Sequence, residues 1–88
     1  MSSLAGKTII VTGASSGIGA GTSLRLAQLG CKLSLVGRNM EALNKVAEEC
    51  KEKGALDTLI IVKDLSSATG CQEAIDKTVE YYQSNFRL

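Results

Sequence analysis

The residues best suited to chemistry form one short run, Thr12-Gly13-Ala14-Ser15-Ser16-Gly17-Ile18-Gly19. Three glycines at this spacing, placed between an apolar run and a helical pattern, suit a turn that cradles phosphate. Gly13 lets the chain turn sharply off a strand. Gly17 has no Cβ, so backbone can come close to a pyrophosphate, and Gly19 lets the helix pack tightly on the sheet. The first turn of that helix adds N–H donors and a partial positive charge. A plain β-to-α turn with flexible glycines is the alternative; the strand before and the helix after, within a β-α-β unit, favour phosphate binding. A second candidate, Gly6-Lys7-Thr8, resembles the end of a Walker loop. That pattern needs another glycine where Met1 stands, and here the triplet precedes its strand.

Two further positions bear on which nucleotide would bind. The second apolar run ends in Gly37-Arg38-Asn39. A site for NAD places Asp or Glu there to accept from the ribose 2′-hydroxyl. Arg38 offers instead a planar fork of donors for a 2′-phosphate, and predicts NADP as the cofactor. An exposed arginine in a turn is the simpler reading. After the third apolar run comes Lys63-Asp64-Leu65. Asp64 suits a hydrogen bond from the adenine amino group, and equally a turn ahead of Ser66.

These residues need strands and helices in alternation to hold them, and the pattern supplies them. Lys7 to Thr12 reads as a buried strand. A helix follows from about Ile18 to Leu29, with Gly30 as its C-cap. Lys32 to Val36 reads as a second strand. Asn39 is placed to cap a helix from Met40, whose residues Leu43, Val46, Ala47 and Cys50 recur at helical spacing, and Gly54 stops it. Thr58 to Val62 is the third strand. A last helix starts near Ser67 or Thr69, with Thr69 and Gln72 as a capping box. Its apolar stripe is expected to be Cys71, Ile75, Val79, Tyr82 and Phe86. The order β-α-β-α-β-α implies right-handed crossovers and a parallel sheet, an α/β fold.

Composition narrows the field. With 88 residues, the chain fits one small domain. Aromatic residues make up only 3%, so a core must come from Leu, Ile, Val and Ala. A net charge of +1 with no basic stripe argues against nucleic acid as a partner. Cys31, Cys50 and Cys71 lie far apart and the chain has no histidine, so free thiols in a reducing cytosol are expected and no metal site. No secretory leader is evident at the N-terminus, and the apolar runs are too short to span a membrane. A cytoplasmic location is the expectation.

The octet from Thr12 to Gly19, Val36-Gly37-Arg38-Asn39 and Lys63-Asp64-Leu65-Ser66 together resemble the N-terminal part of short-chain dehydrogenases/reductases, from about Gly6 to about Tyr81. The resemblance implies half of a doubly wound, Rossmann-type parallel sheet in strand order 3-2-1, with the first two helices on one face and the third on the other. It implies that the octet holds pyrophosphate and adenosine, with Ser15 and Ser16 reaching the ribose or its phosphate. It implies that Arg38 marks NADP preference and that Asp64 and Leu65 line the adenine pocket. The candidate cofactor-binding set is Gly13, Ser15, Ser16, Gly17, Ile18, Gly19, Arg38, Asn39, Asp64 and Leu65.

Family members are typically longer, and residues 1–88 correspond to an NADP-binding half-domain that ends before the catalytic region. The chain has no Asn-Asn-Ala-Gly signature, and neither tyrosine has a lysine four residues on: Asn85 follows Tyr81 and Phe86 follows Tyr82. No catalytic residue carries over. The implied function is the NADP(H)-binding portion of an enzyme moving hydride between carbonyl and alcohol. A non-catalytic nucleotide-binding or interaction module is the alternative. In the family a fourth strand flanks the first, so the first strand's open edge here is expected to favour a homo-oligomer or docking on a full-length relative.

Overall fold

The computed structural model describes residues 5–64, 66 and 68–85. Its elements are β1 (Thr8–Thr12), α1 (Gly17–Gln28), β2 (Lys32–Gly37), α2 (Met40–Lys53), β3 (Asp57–Val62) and α3 (Ala68–Asn85). The strands form one parallel sheet with β2 in the middle. This is the expected adjacency. The register aligns Ile9 with Leu33 and Thr58, and Val11 with Leu35 and Ile60.

Side chains alternate across the sheet, as a two-residue period requires. Val11, Leu33 and Leu35 pack with Ala27 of α1 and with Leu43, Val46, Ala47 and Cys50 of α2. Val36 and Ile61 point the other way and pack with Ala74 of α3. Helices α1 and α2 therefore cover one face and α3 the other, as expected. Cys31, Leu33, Leu35, Leu43 and Cys50 are fully buried and form the centre of the larger core.

Caps set the helix limits. Asn39 Oδ1 accepts from the Ala42 N–H at 3.0 Å, and such a cap contributes about 1 kcal/mol. At the other end of α2, Gly54 takes φ 118°, a left-handed conformation that glycine adopts without a Cβ penalty. Helix α1 ends at Gln28 with Leu29 as its cap, one residue before the expected Gly30.

Helix α3 differs from its sequence pattern. It begins at Ala68, which puts Thr69 inside the first turn and removes it from the capping position; Ser67 lies outside the described residues. The buried stripe is Gly70, Ala74, Thr78 and Tyr82, while Cys71 is exposed and Ile75 and Val79 are 45% and 46% exposed. Of the expected stripe only Tyr82 faces the sheet, and Phe86 lies outside the described residues. The cause is a hydroxyl pair. Thr78 Oγ1 donates to Ala74 O at 2.8 Å and lies 2.7 Å from the buried Ser34 Oγ, which supplies the second proton. The bond ties α3 to the middle strand at Ser34, and Gly70, Ala74 and Tyr82 are buried on the same side of the helix.

Candidate functional site

The carboxyl ends of the three strands converge on one groove of ≈ 640 Å³. Its first wall is the β1–α1 turn. Gly13 sits at φ 61°, in the region that side-chain-bearing residues avoid, and reverses the chain off β1. Gly13 O then accepts from both the Ser16 N–H at 3.0 Å and the Ser16 hydroxyl at 2.7 Å. Ser16 Oγ in turn accepts from the Gly19 N–H at 3.1 Å and caps α1. One hydroxyl thus closes the turn and starts the helix. The Ala14 N–H donates to Val36 O at 3.1 Å, which ties the turn to β2.

The three glycines divide their roles. A Cβ on Gly19 would lie 2.0 Å from Gly13 O, so only glycine lets α1 approach this turn. A Cβ on Gly17 would meet open space. Its absence leaves the face of the turn free for an approaching ligand. The N–H groups of Gly17 and Ile18 have no protein acceptor among the described residues, and the Ile18 side chain is 87% exposed. Two unpaired N–H donors at the positive end of a twelve-residue helix form an anion cradle.

The second wall comes from the end of β2. Gly37 is buried against Leu43 and the Ser15 hydroxyl, and a Cβ there would lie 3.2 Å and 3.3 Å from them. Arg38 and Asn39 follow, both exposed and both lining the groove. The third wall is the end of β3. The Lys63 N–H donates to Gly37 O at 2.9 Å, which carries the register of the sheet one step past Val62. Asp64 Oδ1 accepts from the Ser66 N–H at 3.0 Å. The Ser66 backbone N–H, then its hydroxyl, and more weakly the charge of Arg38, hold the Asp64 carboxyl below the usual carboxylate range. Asp64 therefore carries its negative charge at neutral pH beside the Arg38 cation.

Of the residues expected from the sequence, Gly13, Ser15, Ser16, Arg38, Asn39 and Asp64 line the groove. Gly17 and Ile18 open α1 directly after Ser16 and are not among the lining residues, and Gly19 lies buried beneath the turn. Leu65 lies outside the described residues. Gly37, Lys63 and Ser66 line the groove and were missing from the expected set. Their signal was adjacency: each flanks a residue that was nominated.

Neither tyrosine is at the groove. Tyr82 lies at the opposite end of the sheet, beside Thr8 and Lys32 at the strands' amino ends, where its hydroxyl donates to Leu33 O at 3.4 Å. Burial first, then the charges of Asp57 and Tyr81, push its phenol well above the usual value. A phenol serving as acid or base near neutral pH needs the opposite shift. Tyr81 stacks edge-on against it, with ring centres 4.9 Å apart.

The three cysteines are free thiols, with Cys31 and Cys50 buried and Cys71 exposed. Among the described residues there is no cluster of metal-ligating side chains, and no helix is long and apolar enough to cross a membrane.

A parallel sheet, a glycine turn and an anion cradle at the strands' carboxyl ends define the dinucleotide-binding half of a Rossmann-type fold. The family model for short chain dehydrogenases matches residues 7–84, and the chain belongs to that family. It is 40% identical over 77 residues to the 11-beta-hydroxysteroid dehydrogenase-like 2 protein of Arabidopsis thaliana, covering 88% of this chain and 25% of that protein. It is 39% identical over 83 residues to a dehydrogenase/reductase SDR family protein 7-like of Dictyostelium discoideum, covering 90% and 26%. Among solved structures, NAD+-bound xylitol dehydrogenase superposes with a TM-score of 0.85 at 34% identity, covering 93% of this chain and 31% of that one. An NADH-dependent reductase complexed with NAD gives 0.82 at 27% identity, covering 91% and 33%. The chain spans about a quarter of the length of the curated relatives it matches, corresponding to their N-terminal part.

Proposed function

We propose that this chain is the NADP(H)-binding portion of a short-chain dehydrogenase/reductase that moves hydride between a carbonyl and an alcohol. The observation that carries the reading is the groove itself: Gly13, Ser15 and Ser16 at one wall, directly before the unpaired N–H donors of Gly17 and Ile18 that open α1, and Arg38 at the next. The residues present fit a dinucleotide. Gly17 leaves the turn open, and its N–H with that of Ile18 donates to the pyrophosphate. The Arg38 guanidinium forks onto a ribose 2′-phosphate. Asp64 accepts from the adenine amino group. Ser15, Ser16 and Asn39 contribute polar contacts to the ribose side of the groove. When bound, the nicotinamide supplies the hydride chemistry.

In this reading the described residues hold the cofactor, and neither tyrosine is placed to give a proton to a carbonyl oxygen at the groove. Their tyrosines lie away from the groove, and Tyr82 is held protonated by burial. The chain on its own is therefore expected to match the protein-free rate with NADPH and a panel of aldehydes and ketones.

Calorimetry with NADPH and NADH tests the cofactor assignment. Wild type is expected to prefer NADPH by about tenfold or more, the worth of a charge-assisted phosphate contact. Arg38→Asp adds repulsion for the 2′-phosphate and an acceptor for the 2′-hydroxyl, and should reverse the preference. An unchanged ratio would remove Arg38 from the site.

A further inference from the structure

Arg38 is not the sole cation on this groove. Val62 is in register with Gly37, and the Lys63 N–H bonds Gly37 O, so Arg38 and Lys63 leave neighbouring strands side by side. Both line the same groove. Arg38 is exposed, whereas the Lys63 ammonium is tied at 3.0 Å to Glu73 Oε1. Glu73 stands on α3, the helix that otherwise packs on the far face of the sheet. The Lys63 side chain is 27% exposed and that of Glu73 50%, so the pair sits at the rim and not in the core.

We infer that Lys63 is a second cation for the ribose 2′-phosphate, and that Glu73 positions its ammonium and competes with the phosphate for it. The inference rests on the nucleotide reading above and names residues that decide its specificity. A 2′-phosphate brings up to two negative charges and three acceptor oxygens. The planar Arg38 fork takes two oxygens in one plane, and a point charge on a flexible stem suits the third. The Glu73 carboxylate brings one charge, and an ion pair at the rim holds its partner only about fivefold or less. The phosphate therefore draws Lys63 from Glu73 at little cost. A purely structural pair tying β3 to α3 makes a different forecast. Its two halves should then act in the same direction, on stability alone.

The test titrates the 88-residue chain with adenosine 2′,5′-bisphosphate and with AMP, which differ only in the 2′-phosphate, and reads the ratio of affinities. Lys63→Met is expected to lower the ratio about tenfold, and Lys63→Arg to keep it within about threefold of wild type. Glu73→Gln should raise it about two- to fivefold by releasing the ammonium. Circular dichroism melts accompany each variant; should Lys63→Met not fold, the rise in Glu73→Gln decides alone. Ratios unchanged in Lys63→Met and Glu73→Gln, in a chain where Arg38→Asp collapses the ratio, would overturn the role of Lys63 and leave the nucleotide site standing. A fall of the ratio in Glu73→Gln as well as in Lys63→Met would mean that Glu73 does not compete with the phosphate for the ammonium, and would equally overturn it. Failure of either nucleotide to bind wild type would remove the site and this inference together.

Discussion

On the face of the sheet beneath α1 and α2, Leu33, Leu35, Leu43, Cys31 and Cys50 are wholly excluded from solvent. On the face beneath α3, the buried apolar cluster among the described residues is Val36, Ile61 and Ala74, with Tyr82 also buried, and Ile75 and Val79 remain nearly half exposed. The first face is a finished core made by two helices that pack on each other as well as on the sheet. The second is held by a narrow contact of small residues and by the Ser34–Thr78 hydroxyl pair. Apolar area removed from water governs stability, at about 25 cal/mol per Å². Stability in this chain should therefore reside mainly in the α1/α2 side. The groove draws on both sides, since its first two walls come from the β1–α1 turn and the end of β2, while Glu73 of α3 reaches its third wall at Lys63.

The sharpest way to break this comparison is a matched pair of truncations. Leu35→Ala should cost about 2–5 kcal/mol in a urea melt, because it opens a cavity in a filled core. Total stability for a chain of this size is roughly 4–13 kcal/mol, so that loss takes much of the folded population. Ile75→Ala, on the outer face of α3, should cost less than about 1 kcal/mol. Equal costs would mean that α3's outer face is covered, and the two faces would not differ as described.

The glycines of the turn separate folding from binding in the same manner. Gly19→Ala drives a Cβ into Gly13 O and should cost about 1–3 kcal/mol, with the groove distorted as well. Gly17→Ala meets no protein atom and should hold stability or raise it by up to about 1 kcal/mol, while weakening nucleotide binding. Denaturation and calorimetry on both variants check this. A stability loss in Gly17→Ala would show that its open face is not free.

Strand β1 belongs to the unfinished side of the comparison. Among the described residues it pairs with β2 alone, and its middle residues Ile9 and Ile10 are only partly buried. An apolar edge with unpaired backbone groups is a template for another chain. Sedimentation at several concentrations should show self-association that grows with concentration. A well-behaved monomer with a sharp cooperative melt would mean that the edge is protected.

The smallest expected effect concerns acid. The folded pKa of Asp64 is depressed, chiefly by the Ser66 N–H. Its contribution is present above the ordinary carboxylate value and is lost as pH falls through the depressed one. Titration of the Asp64 carboxyl by NMR should give a midpoint below that of an ordinary aspartate, and Arg38→Gln should raise it only slightly. A midpoint at the ordinary value would mean the Ser66 bond does not form.

Much of this arrangement was legible in the chain before folding. The alternating apolar runs, the octet from Thr12 to Gly19, and Asn39 and Gly54 at the ends of α2 act through local backbone geometry. Turns, caps and periodicities are properties of neighbouring residues, so they can be read from neighbours. Glycine spacing likewise indicated a cradle, because a Cβ or its absence has the same consequence at such a turn in any such fold.

What tertiary structure alone decided lies where two distant segments meet. The buried stripe of α3 follows Gly70, Ala74, Thr78 and Tyr82, and on it Thr78 pairs with the buried hydroxyl of Ser34, 44 residues away. An apolar count along the helix favours Ile75 and Val79 instead, since it has no knowledge of that partner. The same holds at the groove. Lys63 reads as one more charged residue until the register of β2 and β3 sets it beside Arg38 and the crossing of α3 brings Glu73 within 3.0 Å. Periodicity along a chain assigns faces by hydrophobicity, whereas the packed structure assigns them by which polar groups must be paired and how closely backbones must approach.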